Sequence, residues 1–230
     1  MSRARFCFCP LRRTVSSRAK FSTSTAVCFA TNHEESKLNQ TIYLLLDMQN
    51  DLVHADGPTG QGPLGEQVRL SETTARTAEA LRQARVAGAL VGFVRVGFSA
   101  HYQECPPNSP VFSGAPAAGL FKLGQWGTEI HPELEVRDTD LQIVKHRVSP
   151  FYATTLEAQL RARGVTRIVC SGVSTQAVVQ AAVRDAHDRD YEVVVLEDCC
   201  AAHSAQEHAN SIESIRRFCR IETSASVTFV

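Results

Sequence analysis

From Thr41 onward the chain alternates short, uninterrupted apolar runs with stretches whose apolar residues recur every three or four positions. The run Ile42-Tyr43-Leu44-Leu45-Leu46 has no polar alternation, the pattern of a strand buried on both faces. Similar runs predict strands over 89–96, 141–144, 167–170, 192–196 and 224–230. Helical spacing predicts a helix over 64–87, with Val68, Ala75, Ala78, Leu81 and Ala84 recurring and Gly88 as its stop. Further helices are predicted over 151–163, ending at Gly164, and over 175–188 and 206–218. Apolar strands separated by helices call for a parallel sheet covered on both faces. The expected fold is therefore α/β: a doubly wound, mostly parallel, Rossmann-like sheet of about six strands in a three-layer sandwich. In such a sheet ligands bind outside the carboxyl ends of the strands.

Residues 97–139 break this alternation. The segment is rich in Gly and Pro and holds the only tryptophan, Trp126. A connection of this length inside a compact domain is commonly functional. It is expected to be a lid, a subunit contact or both, which makes Trp126 a candidate substrate contact and a homo-oligomer the expected state.

The first thirty residues have a different character. They carry Arg3, Arg5, Arg12, Arg13, Arg18 and Lys20, no Asp or Glu, and dense Ser and Thr from Thr14 to Thr25. That composition is expected of a mitochondrial transit peptide, and Arg12 and Arg13 interrupt the apolar stretch a secretory signal would need. The alternative is a tail without an address, which would leave the protein cytoplasmic. Residues 1–38 are accordingly set apart from a single folded domain over 39–230.

With 24 basic and 24 acidic residues the formal net charge is zero, so no whole-molecule attraction to nucleic acid or to an anionic membrane is expected. No apolar run is long enough to span a bilayer. Cys105, Cys170, Cys199, Cys200 and Cys219 show no paired C-x-x-C spacing near histidines, so neither a metal site nor any other cofactor is expected.

Two charges stand out because of where they fall. Asp47 follows the first apolar run directly, and Lys145 follows Leu141-Gln142-Ile143-Val144. Two strands thus deliver opposite charges to one edge of one sheet, either as an active pair or as an ion pair tying strands together. The turn Gly172-Val173-Ser174-Thr175 joins the fourth strand to a helix. Its backbone N–H groups suit a carboxylate or oxyanion, while Ser174 or Thr175 would equally serve as a helix cap. Arg95, at the end of the second strand, is a candidate for binding a substrate carboxylate through its planar fork, or for a plain ion pair.

These motifs keep a recognisable order. Asp47-Met48-Gln49-Asn50-Asp51-Leu52 resembles the D-x-Q-N-D-F opening of the isochorismatase-like hydrolases. The resemblance continues through Gly127–Leu134, Lys145–Phe151, Gly172–Thr175, Asp185-Ala186 and Glu197-Asp198, over about residues 40–204. It implies the fold derived above and a catalytic Asp, Lys and Cys. Asp47 and Lys145 match the first two. Val178 stands where the cysteine is expected, three residues after Thr175, and Gln176 stands where Asp or Asn is common. Valine has neither lone pair nor labile proton and cannot attack a carbonyl.

The family includes members without the thiol. In isochorismatase itself the resemblance implies that the aspartate protonates a vinyl ether, which needs a raised carboxyl pKa rather than a nucleophile. Nicotinamidase-type metal binding is not expected, because the segment after the second strand offers only His101.

The leading expectation is a hydrolase of a small organic molecule. Asp47 and Lys145 would be catalytic, and Arg95, Gly172, Val173, Ser174, Thr175, Val178 and Trp126 would contact substrate. The alternatives are an amidohydrolase with Cys199 or Cys200 as surrogate nucleophile, and a non-catalytic metabolite-binding or interaction member of the family.

Overall fold

The computed structural model describes residues 40–230; the expected transit peptide lies outside the described residues. Six strands form one sheet: β1 (Thr41–Leu46), β2 (Leu90–Val96), β3 (Leu141–Lys145), β4 (Arg167–Val173), β5 (Glu192–Ala201) and β6 (Arg220–Glu222). Their order is β3-β2-β1-β4-β5-β6, and every neighbouring pair is parallel. This is the doubly wound arrangement expected from the alternation of apolar runs and helices.

The helices are α1 (Asn50–Val53), α2 (Pro63–Leu70), α3 (Thr73–Val86), α4 (Ala115–Ala118), α5 (Leu156–Ala162), α6 (Gln180–His187) and α7 (Ala205–Ile215). β1 shows why its strand has no polar position. Ile42, Leu44 and Leu46 face one core with Leu156, Leu160, Val183 and Ile215 of α5, α6 and α7. Tyr43 and Leu45 face a second core with Leu64, Val68, Ala80 and Leu81 of α2 and α3. Each side chain therefore meets a helix layer whichever way it points.

Three elements differ from expectation. The single helix predicted over 64–87 is two, because Glu72 adopts a left-handed conformation (φ 54°) between α2 and α3. Ser71 caps the break by donating to the Gln67 carbonyl at 2.6 Å. The predicted strand over 224–230 is not one: the sixth strand is Arg220–Glu222, pairing with Val194–Leu196. Val227 and Phe229 are nonetheless buried, and Phe229 lies against Tyr43 with ring centroids 5.4 Å apart. Alternating apolar residues thus reported burial of the tail, not ladder pairing. Finally, the helix predicted from Thr175 begins with a π-helical turn, Thr175–Val179, before α6.

The long connection 97–139 packs over the carboxyl end of the sheet. Phe98, Phe112, Ala115 and Phe121 form their own small core with Val96 at the end of β2. Apolar burial, rather than regular secondary structure, shapes this cover.

Candidate active site

The strand order reverses between β1 and β4, and the crevice outside their carboxyl ends is where an open α/β sheet binds ligands. Gly172 permits that close junction. It has φ 138°, and a Cβ there would stand 2.0 Å from the Leu46 carbonyl oxygen.

Asp47 leaves β1 with a left-handed backbone (φ 57°), and its N–H donates to the Val94 carbonyl at 2.8 Å. The turn holds the carboxylate in the crevice. β3 is two strands away, so only a long side chain can cross β2 to reach it. Lys145 does so: its Nζ lies 2.9 Å from Asp47 Oδ2 and also donates to the Arg147 carbonyl at 3.1 Å. The residues are 5% and 1% exposed, so the pair is held almost without water. Burial pushes the Asp47 carboxyl above its ordinary range, opposed by the Lys145 ammonium. Asp47 Oδ1 is buried and has no hydrogen-bond partner among the described residues.

The remainder of the opening motif fixes the cover. Gln49 bonds both backbone groups of Val96, donating from Nε2 at 3.1 Å and accepting at Oε1 at 2.9 Å. Asn50 donates to the Trp126 carbonyl at 2.9 Å, and Asp51 Oδ2 accepts the Phe121 N–H at 2.8 Å. Gly127 lies so close to Asp51 that a Cβ would stand 2.1 Å from its Oδ1. These positioning roles of Gln49, Asn50 and Asp51 were not legible from the motif, because their partners come from 47 or more residues away.

Asp47 and Lys145 open onto a hollow of about 240 Å³. Val173, Ser174, Ala177 and Val178 form its wall on the β4 side, and Val111, Phe112, Leu120, Phe121 and Val148 line it elsewhere. Of the expected contact residues, Val173, Ser174 and Val178 line it. Four others do not. Gly172 serves the strand junction. Thr175 is buried beside it with Oγ1 2.9 Å from His208 Nδ1. Arg95 donates to the Thr128 carbonyl at 3.3 Å and has no ion pair among the described residues, so it holds the cover instead. Trp126 is 45% exposed and packs edge-on against His54. Neither Ser174 nor Thr175 caps the turn with its side chain. Thr59, Leu52 and Leu64 also line the hollow, as does His203; nothing in their spacing marked them.

Among the described residues no cysteine lines the hollow. Cys170 is in the core with α6, and Cys199 and Cys200 are buried within β5, one in each core. Burial raises the pKa of all three, the opposite of what an activated nucleophile requires. This geometry counts against the surrogate-cysteine alternative. Among the described residues no cluster of three or more His, Cys, Asp or Glu is arranged to hold a metal, and no helix is long and apolar enough to cross a membrane.

Residues 41–226 match the isochorismatase domain model. The chain belongs to the isochorismatase family. It is 35% identical over 182 residues to the isochorismatase family protein YecD of Escherichia coli O157:H7, covering 79% of this chain and 90% of YecD. It is 36% identical over 138 residues, 55% of each chain, to the ureidoacrylate amidohydrolase RutB of Variovorax paradoxus. The crystal structure of an isochorismatase family protein from Desulfovibrio vulgaris superposes with a TM-score of 0.73 at 26% identity, covering 81% of this chain and 95% of that one. The chain is thus a member of a hydrolase family, with the fold of that family.

Proposed function

We propose that this isochorismatase-family chain hydrolyses a small organic molecule by direct attack of water, with Asp47 as the proton carrier and no covalent thiol intermediate. The observation that carries the reading is a buried Asp47–Lys145 pair facing a hollow whose wall presents Val178, where the resemblance expects the cysteine. Asp47 Oδ1, unpartnered and buried, supports the role of proton donor, and the upward push of burial on its pKa keeps a proton available.

For a vinyl ether the steps follow from those two atoms. Asp47 Oδ1 gives its proton to the terminal carbon, and positive charge appears on the adjacent carbon and ether oxygen. The ionised carboxylate regains its pairing with Lys145, which offsets the charge formed. Water adds to the cationic carbon and returns a proton to Asp47. The hemiketal collapses to a carbonyl compound and an alcohol. Lys145 holds Asp47 throughout. Turnover of a panel of vinyl ethers, ureides and small amides, compared with Asp47→Asn, tests the proposal; equal rates in both proteins would reject it and favour a non-catalytic metabolite-binding member, the reading that Val178 itself motivates.

Val178→Cys supplies a second check. The new thiol would face the hollow at the start of a helix, a placement that lowers a thiol pKa to roughly 3.5–7.5. Iodoacetamide is expected to modify it faster than an exposed cysteine placed elsewhere on the chain. A rate no higher than that control would show that position 178 is not where the family places its nucleophile.

Two broader readings belong to the same proposal. Residues 1–38 act as a mitochondrial address, supported by the six basic and no acidic residues of the first thirty; a fusion of this segment to a reporter is expected in mitochondria, and a diffuse signal removes the idea. The chain acts as a homo-oligomer, supported by the exposed Trp126 on the cover; a monomer mass in sedimentation would remove that.

A further inference from the structure

If Asp47 and Lys145 react as proposed, the scissile group lies on the floor of the hollow and the rest of the substrate meets the walls. Those walls are apolar on the lid side, through Val111, Phe112, Leu120 and Phe121, and again at Val148 after β3. Apart from the floor pair, the polar lining groups are Thr59, Ser174 and His203. No arginine, and no lysine other than Lys145, lines the hollow among the described residues.

Lys145 has little left for a second anion. An ammonium carries three N–H donors; one is directed at Asp47 Oδ2 and one at the Arg147 carbonyl. The third serves the reacting group. The arginines adjacent in sequence to the lining residues Val96 and Val148 do not line the hollow and donate to backbone carbonyls. Arg95 donates to Thr128, and Arg147 donates to Glu104 and His146. His203 stands half-exposed at the rim with its Nδ1 2.6 Å from Gln176 Nε2. A carboxylate on the body of a substrate would therefore be taken out of water against Val, Leu and Phe side chains with no free guanidinium or ammonium to pair with, which is unfavourable. A carboxylate laid on Lys145 instead would displace the scissile group from the floor and stand beside Asp47, charge against like charge.

We infer that the substrate is a small uncharged molecule with an apolar body, and that substrates anchored through a carboxylate are rejected. The hollow, at about 240 Å³, lies below the ~300–1,000 Å³ of pockets for drug-sized ligands. This inference rests on the proposed roles of Asp47 and Lys145 and narrows the substrate class of that same site.

The test uses matched pairs of small vinyl ethers and ureides, each prepared as the free carboxylate and as its primary amide, with the full-length protein. The amide member of each pair is expected to have the higher kcat/KM, by about tenfold or more. Preference for the free carboxylate overturns the inference while leaving the hydrolytic reading in place, provided turnover is still lost in Asp47→Asn. Where neither member is turned over, the hydrolytic reading fails and the inference is judged by binding. A Tm raised by the amide members alone supports it, and a Tm raised by the carboxylates, by both equally or by neither overturns it. Val111→Arg gives an independent arm. Val111 is 62% exposed, so a guanidinium there stays in water at the mouth. This variant is expected to move the preference toward the carboxylate members by about tenfold; an unchanged preference overturns the charge argument.

Discussion

Asp47→Asn is expected to lower turnover by about 100- to 10,000-fold, the range typical of losing a positioned acid or base. Asparagine keeps the size of the side chain and can still accept from Lys145 through its amide oxygen. It has no proton to give and cannot return to a carboxylate that re-pairs with the ammonium. Because no thiol among the described residues lines the hollow, none there offers a second route through a covalent intermediate. The fall is expected in kcat at least as much as in KM, since the missing interaction is made in the transition state. Steady-state kinetics on the best substrate of the panel check this. A variant whose KM rises with kcat unchanged would place Asp47 among binding groups only.

Lys145→Met is expected to destabilise the fold by about 3–4 kcal/mol at pH 7, and much less near pH 4. The ammonium lowers a carboxyl pKa that burial raises. Without it the folded-state pKa of Asp47 rises further above the unfolded value of about 3.9. The folded chain then binds more protons than the unfolded chain between those two values, so stability is retained at low pH and lost as pH rises through the window. Protonation caps the loss, because the stranded carboxyl can stay neutral instead of charged. The expected size is the lower part of the about 3–5 kcal/mol for stranding one member of a buried pair. Urea denaturation at pH 4.5 and 7 measures it. A loss of equal size at both values would mean that the Lys145 stem matters for packing and its charge does not. The wild-type pair follows the same sign in a narrower window, because Lys145 holds the upper edge down.

The two variants separate chemistry from architecture. Asp47→Asn leaves the neighbours of the carboxylate with a neutral partner of the same shape, so its stability cost is expected to be the smaller. Lys145→Met removes a side chain that bridges from β3 across β2 to the turn after β1.

Much of this was legible in the chain itself. The unbroken run Ile42–Leu46 fixed a strand buried on both faces, and similar runs separated by helical spacing fixed a parallel sheet. Because a residue directly after such a run must fall at the carboxyl end of its strand, Asp47 and Lys145 were assignable to one edge before any coordinates. Local readings failed where a tertiary contact outweighed the local pattern. Helical spacing ran through Ser71 and Glu72, yet the chain turns there into a left-handed residue and starts a new helix. The alternating Val227 and Phe229 marked burial, but against Tyr43 and its neighbours rather than in a ladder. Arg95 looked free to bind a carboxylate because its partner, the Thr128 carbonyl, sits 33 residues away.

What the sequence determined was the periodic part: which segments are strands, that they run parallel, and that an acid and an ammonium end two of them. These follow from neighbours within a few residues, where side-chain period and backbone geometry are coupled. Tertiary structure alone decided that Lys145 crosses β2 to within 2.9 Å of Asp47 and that the lid is lined with apolar rather than cationic side chains. Those depend on how segments far apart in the chain are brought together over the sheet. Burial there, which no local pattern encodes, sets both the pKa of the acid and the charge that a ligand can carry into the hollow.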